Sequence, residues 1–230
     1  MTPGDDWLPP LLSVIAGIVE VMGYLTLGSL FTAHVTGNLI TIAALLARGG
    51  PLSLAQILAV PVFMLALAAV WLIAEATRRR GPALVRPLLV LHFLLLCGVL
   101  ICSAIWDPVA HPQGKVTSFT AMIAVCAMAS QFALLRLGVP GAPSTAVMTG
   151  NLTNSVLSLL DTLSGKHSVT EGAEDRLKKT SKLVFGFFTG CVVGAAALSL
   201  MGHWAWSLPA ALAGGAAATH AVAPSLRVPE

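Results

Sequence analysis

Apolar residues in this chain are gathered into long runs. Eight apolar segments can be marked, roughly 8–28, 35–47, 54–76, 87–106, 118–138, 149–160, 182–202 and 204–222. Six of them are about twenty residues long, enough α-helix to cross the ~30 Å hydrocarbon core of a bilayer. The second and sixth hold only about 12 or 13 residues, roughly 19 Å as helix, too short to cross.

Both short segments open on the same polar signature. "FTAHVTGNL" at 31–39 and "STAVMTGNL" at 144–152 agree at six of nine positions, at a constant offset of 113 residues. The order long, short, long, long also repeats on either side of the polar link "DPVAHPQGK". The chain therefore reads as one membrane domain over 1–230, with a first repeat over 8–106, a linker over 107–117 and a second repeat over 118–222.

Composition agrees with this reading. Hydrophobic residues make up 56% of the chain and charged residues 10%, with a mean hydropathy of +0.85, too little charge to coat a soluble domain of this length. The net charge of +3 is no argument for nucleic acid. The opening "MTPGDDWLPP" has no basic residue and no evident cleavage site, so the first segment is expected to stay as a span. Cys97, Cys102, Cys126 and Cys191 all lie in apolar runs without a CxxC spacing. They are expected to be packing residues, with no metal site and no disulfide framework.

The basic residues give the topology. If all eight segments cross, one side carries eight Lys and Arg and the other five. If the two short segments enter and leave on the same side, the split is eleven against two, with only Arg48 and Lys115 on the minority side. The second count predicts six transmembrane helices, both termini cytoplasmic, and two short broken or re-entrant helices. Three crossings per half put the halves in opposite orientations, an all-α 3+3 inverted repeat.

Polar backbone at membrane depth survives only against protein or a watery cavity. Thr36, Gly37 and Asn38, and Thr149, Gly150 and Asn151, are therefore expected to sit at two helix starts near mid-depth. There Thr or Asn would cap, and free N–H groups would converge on a solute. The alternative is that these residues only join helices through packing and hydrogen bonds. Glu20 is the one acid well inside a span. It must be protonated, paired or wet, and if protonated it should tolerate replacement by Gln. Gln131 stands at nearly the matching place in the second half, 18 residues before Thr149 where Glu20 is 16 before Thr36.

Other polar features invite plainer readings. Arg136 lies near a helix end and can snorkel. His34 has Val147 as its counterpart and is not part of the repeat. Gly186, Gly190 and Gly194 form GxxxGxxxG, a pattern for close helix approach within the protomer or in a homo-oligomer. The stretch 161–181 reads as a cytoplasmic loop that can hold a short amphipathic helix. No zincin, nucleophile-elbow or P-loop motif occurs, so an enzyme is not expected, and neither is a cofactor.

"GIVEVMGYLTLGSLFTAHVTGNLI" and "AMASQFALLRLGVPGAPSTAVMTGNLT" together resemble the YoaK-like family of bacterial integral-membrane proteins, a domain of unknown function. The resemblance covers nearly the whole chain. Family members usually carry Asp where this chain has Glu20, and often Asn where it has Phe132. The resemblance implies the bacterial inner membrane and names no substrate. The residues themselves favour a small secondary transporter for a polar or ionic solute. A channel for a small polar solute and a non-transporting membrane scaffold are the alternatives. The expected partners are the lipid bilayer and the solute.

Overall fold

The computed structural model describes residues 6–50, 52–79, 81–112, 114–164 and 172–222. Among them every regular element is helical. They are α1 (Leu8–Thr26), α2 (Thr36–Arg48), α3 (Leu54–Ala76), α4 (Pro82–Trp106), α5 (Lys115–Ala133), a π-helical turn (Leu134–Gly138), α6 (Met148–Leu163), α7 (Ala173–Met201), a 3-10 turn (Gly202–Trp206) and α8 (Ser207–Val222).

Among the described residues, five stretches are long and apolar enough to cross a membrane: Leu8–Thr26, Leu54–Ala76, Pro82–Trp106, Lys115–Gly138 and Glu174–His220. The last has 47 residues, far more than one crossing needs, and it doubles back. Its break is at Gly202, where φ is +58°, a conformation that favours glycine. Midway along α7, Gly186 lies against the Pro10 carbonyl. At the end of α8, the His220 ring lies 5.6 Å from that of Trp7. Both limbs therefore return to the N-terminal end of α1.

The tightest contact in the fold is that of α1 with α7. Along α1, Pro10, Val14 and Ile18 meet Gly186, Gly190 and Gly194 in order, so the two helices run parallel. A Cβ on Gly190 would fall on the Val14 carbonyl oxygen, and one on Gly17 on the Phe187 carbonyl oxygen. The glycine series thus seats one helix of the protomer on another. Without a hydrophobic drive between helices in lipid, such backbone-to-backbone fit is what supplies dispersion energy. In the same way α5 packs on α3, while α4 packs on α5 and α8. The α4–α5 pair is antiparallel: His92 Nδ1 meets the Ala127 carbonyl at 2.9 Å, and Val85 lies against Gly138.

Three boundaries differ from the sequence reading. The sixth segment is a helix of 16 residues rather than about 12. The eighth begins as a 3-10 turn, leaving α8 itself with 16 residues. The polar stretch 161–181 is not all loop, because α7 starts at Ala173. Glu174 and Asp175 occupy its first turn, where acids suit the helix dipole, and Lys178 pairs with Glu174 at 3.9 Å. The rest of that stretch, 165–171, lies outside the described residues, as do Arg80 and Arg227 from the charge count.

The two short helices are inside-out. In α2 the only buried residue is Asn38, while Leu39, Ile40 and Leu46 are exposed. In α6 the buried residues are Asn151, Ser155 and Ser158, and six apolar side chains between Leu152 and Leu163 are exposed. A helix that turns its polar side to the protein and its apolar side outward fits a hydrocarbon surrounding.

Candidate functional site

The loop between α1 and α2 is built around Glu20. This side chain projects from α1 and is 7% exposed. Its Oε2 accepts hydrogen bonds from the N–H of Thr32 at 2.8 Å, the N–H of Ala33 at 2.6 Å and the Thr32 hydroxyl at 3.0 Å. Its Oε1 accepts from the His34 N–H at 3.1 Å and contacts His34 Nδ1 at 2.9 Å. Three of these partners are backbone N–H groups, which can only donate. The pocket is thus complementary to a carboxylate, whose two oxygens offer acceptor sites alone.

His34 makes the site more than a loop anchor. Its side chain is 31% exposed, against 9% for Glu20. Its ring meets that of Phe187 on α7 edge-to-face, 5.3 Å apart. Nδ1 is engaged by Glu20, while Nε2 has no hydrogen bond among the described residues. A buried carboxylate is thereby joined to a half-open imidazole, a pair able to pass a proton or to present a charge to a solute. The sequence reading gave His34 little weight, since it is absent from the repeat. Its only signal was its place between the paired threonine and the TGN triplet.

The second half repeats the clamp with a neutral group. Gln131, fully buried on α5, donates from Nε2 to the Leu12 carbonyl at 3.0 Å and to the Thr145 hydroxyl at 3.3 Å. Thr32 and Thr145 are counterparts at the 113-residue offset, so Glu20 and Gln131 reach equivalent threonines. That shared offset was the signal that could have added Thr32 and Thr145 to Glu20 and Gln131. The Gln131 Oε1 is buried with no partner among the described residues.

The TGN residues divide their work. Asn38 donates from Nδ2 to the Phe31 carbonyl at 2.8 Å and accepts at Oδ1 from the Phe31 N–H at 3.0 Å. Asn151 donates from Nδ2 to the Ser144 carbonyl at 2.7 Å, again seven residues back. Each asparagine ties the incoming chain to the first turn of its helix, Asn38 as the third residue of α2 and Asn151 as the fourth of α6. Gly37 and Gly150 let that chain lie close: a Cβ would come within 2.9 Å of the Phe31 ring and 3.0 Å of Val147. Thr36 and Thr149 are exposed.

Capping by Thr or Asn is not what the structure shows. The residues flanking the two helix starts are Val35 and Val147, with no side-chain cap, because Asn38 lies three residues past the first and Asn151 four past the second. The first-turn donors are also partly used. The N–H groups of Gly37 and Asn38 bond to the His34 and Val35 carbonyls, and that of Asn151 to Val147.

The two clamps occupy different depths beside α1, one at Glu20 and the other at Leu12. Eight residues of helix separate these by roughly 12 Å. Both flank the middle of α1, and α2 and α6 do not pack on each other. Among the described residues no group of three or more His, Cys, Asp or Glu could hold a metal ion. The cysteines are free and buried or half-buried.

Long apolar helices, short helices with their apolar sides outward and buried polar loops define a helical membrane protein. The chain belongs to the family described as protein of unknown function DUF1275, which matches residues 8–219. It is 26% identical over 184 residues to the UPF0700 transmembrane protein YoaK of Bacillus subtilis (strain 168), covering 79% of this chain and 77% of that protein. No solved structure matches.

Proposed function

We propose that the chain is a small secondary transporter for a polar or ionic solute, working in the bacterial inner membrane, with its path beside the Glu20–His34 pair. One observation carries the reading: a buried carboxylate on a membrane-spanning helix is held by three backbone N–H groups and joined to a partly open imidazole. A cross-link between helices has no use for a titratable base open on one side. A carrier that loads and releases a charge or a proton does.

The accompanying architecture is a 3+3 inverted repeat with six crossings. Three features support it: the pairing of α1 with α7 and of α5 with α3, the matching asparagine ties, and the matching threonine contacts of Glu20 and Gln131. In such a fold equivalent residues approach mid-depth from opposite sides. Thr36, Gly37 and Asn38 would then face the solute path from one half and Thr149, Gly150 and Asn151 from the other. The eleven-to-two charge count supports cytoplasmic termini.

A non-transporting scaffold is favoured by a different observation, that Asn38, Asn151 and Gln131 spend their hydrogen bonds within the protein. The test is a solute screen by thermal shift on purified protein, followed by counterflow in proteoliposomes. A stabilising solute with saturable counterflow, reduced about tenfold or more in His34→Asn, is the expected result. His34→Asn suits the purpose because it keeps the backbone N–H that Glu20 needs. Flux without saturation or counterflow indicates a channel. Neither stabilisation nor flux from folded protein sinks the transporter reading in favour of the scaffold.

A further inference from the structure

Charged side chains also gather far from the Glu20 loop, at the end of the bundle where α1 begins. Lys178, Lys179 and Lys182 on the first turns of α7, with Asp175 just before them, line a cavity of about 170 Å³. Its other walls are Asp6, the Pro9–Pro10 start of α1, Pro143 in the loop before α6, and Leu183. The level of this cavity is set by packing. The Ser13 hydroxyl donates to the Leu183 carbonyl at 2.6 Å, and Gly186 meets the Pro10 carbonyl oxygen. The charged part of α7 therefore gives way to its apolar part beside the start of α1, next to Trp7. That is the pattern of a headgroup boundary, with an interfacial tryptophan and lysines at the helix end.

Charges of both signs face this space without pairing across it. The recorded ion pair of Lys178 is with Glu174 on the exposed side of its own helix. Asp6, Asp175, Lys179 and Lys182 have no ion pair or hydrogen bond from their side chains among the described residues. Lysines and aspartates that share a cavity yet stand apart suit a guest that carries both charges. The proline and leucine walls suit the apolar part of such a guest.

We propose that this cavity binds the headgroup of a zwitterionic phospholipid of the phosphatidylethanolamine type. Lys179 and Lys182 hold the phosphodiester, Asp6 and Asp175 receive the ammonium, and the acyl chains leave past the prolines. The site would tie the start of α1 to α7 at the cytoplasmic surface, independently of any solute path.

The experiment is native mass spectrometry of the full chain in detergent, titrated with dioleoyl phosphatidylethanolamine, with dioleoylglycerol and inorganic phosphate as separate arms. Thermal unfolding of every variant confirms folding, and Arg86→Gln, an exposed cation outside the cavity, serves as the control. One saturable phosphatidylethanolamine adduct is expected. It should weaken about tenfold in Lys179→Gln/Lys182→Gln, weaken also in Asp6→Asn/Asp175→Asn, and hold in Arg86→Gln. Equal binding of dioleoylglycerol would overturn the phosphate assignment. Displacement by inorganic phosphate at concentrations comparable to the lipid would overturn the lipid in favour of a soluble anion. An unchanged adduct in the aspartate variant would overturn the zwitterion, and equal weakening in Arg86→Gln would reduce the binding to general surface charge.

Discussion

Replacing Glu20 by Gln tests whether the loop before α2 depends on a carboxylate. Gln has the same size but offers one acceptor oxygen and one NH2 donor. Its best orientation places the oxygen where Oε2 stands, keeping the Thr32 and Ala33 N–H bonds and the Thr32 hydroxyl. The NH2 then faces the His34 N–H, donor against donor, and one buried backbone N–H is left without an acceptor. The reversed orientation strands two such groups and is worse. An unsatisfied buried donor costs about 1–3 kcal/mol. Charge-assisted bonds are also roughly twice as strong as neutral ones, so ~2 kcal/mol is a low figure. For a chain of this size that corresponds to a melting point lower by about 4–8 °C, read by thermal unfolding of the purified protein in mild detergent. The expectation differs from the one drawn from sequence, in which a protonated Glu20 is matched by Gln. A melting point within about 1 °C of the wild type would refute the carboxylate cage and restore the neutral acid.

Gly190→Ala should destabilise by about 1–3 kcal/mol in the same assay, since the added methyl falls on the Val14 carbonyl and must part α1 from α7; no change in melting point would contradict the close packing. Asn38→Ala breaks two bonds to the backbone of Phe31 and Asn151→Ala one to Ser144, so the first should cost about twice the second, roughly 2 against 1 kcal/mol. Because α2 and α6 do not pack together, the double variant should be additive in stability within ~0.5 kcal/mol, and a larger coupling would show that the two helix starts meet. Cysteines placed at the exposed Arg48 and Lys115 should react with an impermeant reagent added outside intact cells, and one at Arg86 only after the cells are opened. Labelling in the reverse order would overturn the six-crossing topology.

Much of the architecture could be read before any coordinates. Hydropathy located the long helices because lipid demands contiguous apolar surface. The 113-residue offset found the twin loops because equivalent contacts need equivalent residues. Glu20 stood out because an acid in an apolar run must have partners, although only the fold identifies them as Thr32, Ala33 and His34. The misreading of Asn38 and Asn151 as caps has a local cause. Asn is favoured at a helix start, and a shift of three or four residues, which decides between capping and tying back, cannot be seen in sequence. The early start of α7 was masked by its charge, since Glu174–Lys182 suits a solvated loop and a solvated helix equally. The GxxxGxxxG stripe announced a close neighbour, but the neighbour is α1, at the far end of the chain, and no local pattern encodes that.

The pairing of α1 with α7 also governs how the protein is made. α1 leaves the ribosome well before α7, so at ordinary synthesis rates α1 waits on the order of ten seconds or more for its closest partner. Throughout that interval the notch at Gly17 is unfilled, and Glu20 depends on the short loop that follows it. A fragment ending before α7 lacks the surface against which α1 is seated. A fragment starting after α4 lacks both α1 for α7 and α3 for α5. Neither half of the chain is therefore expected to fold on its own. Cut in the link between Trp106 and Lys115, the two pieces should each be degraded when produced singly and should survive when produced together.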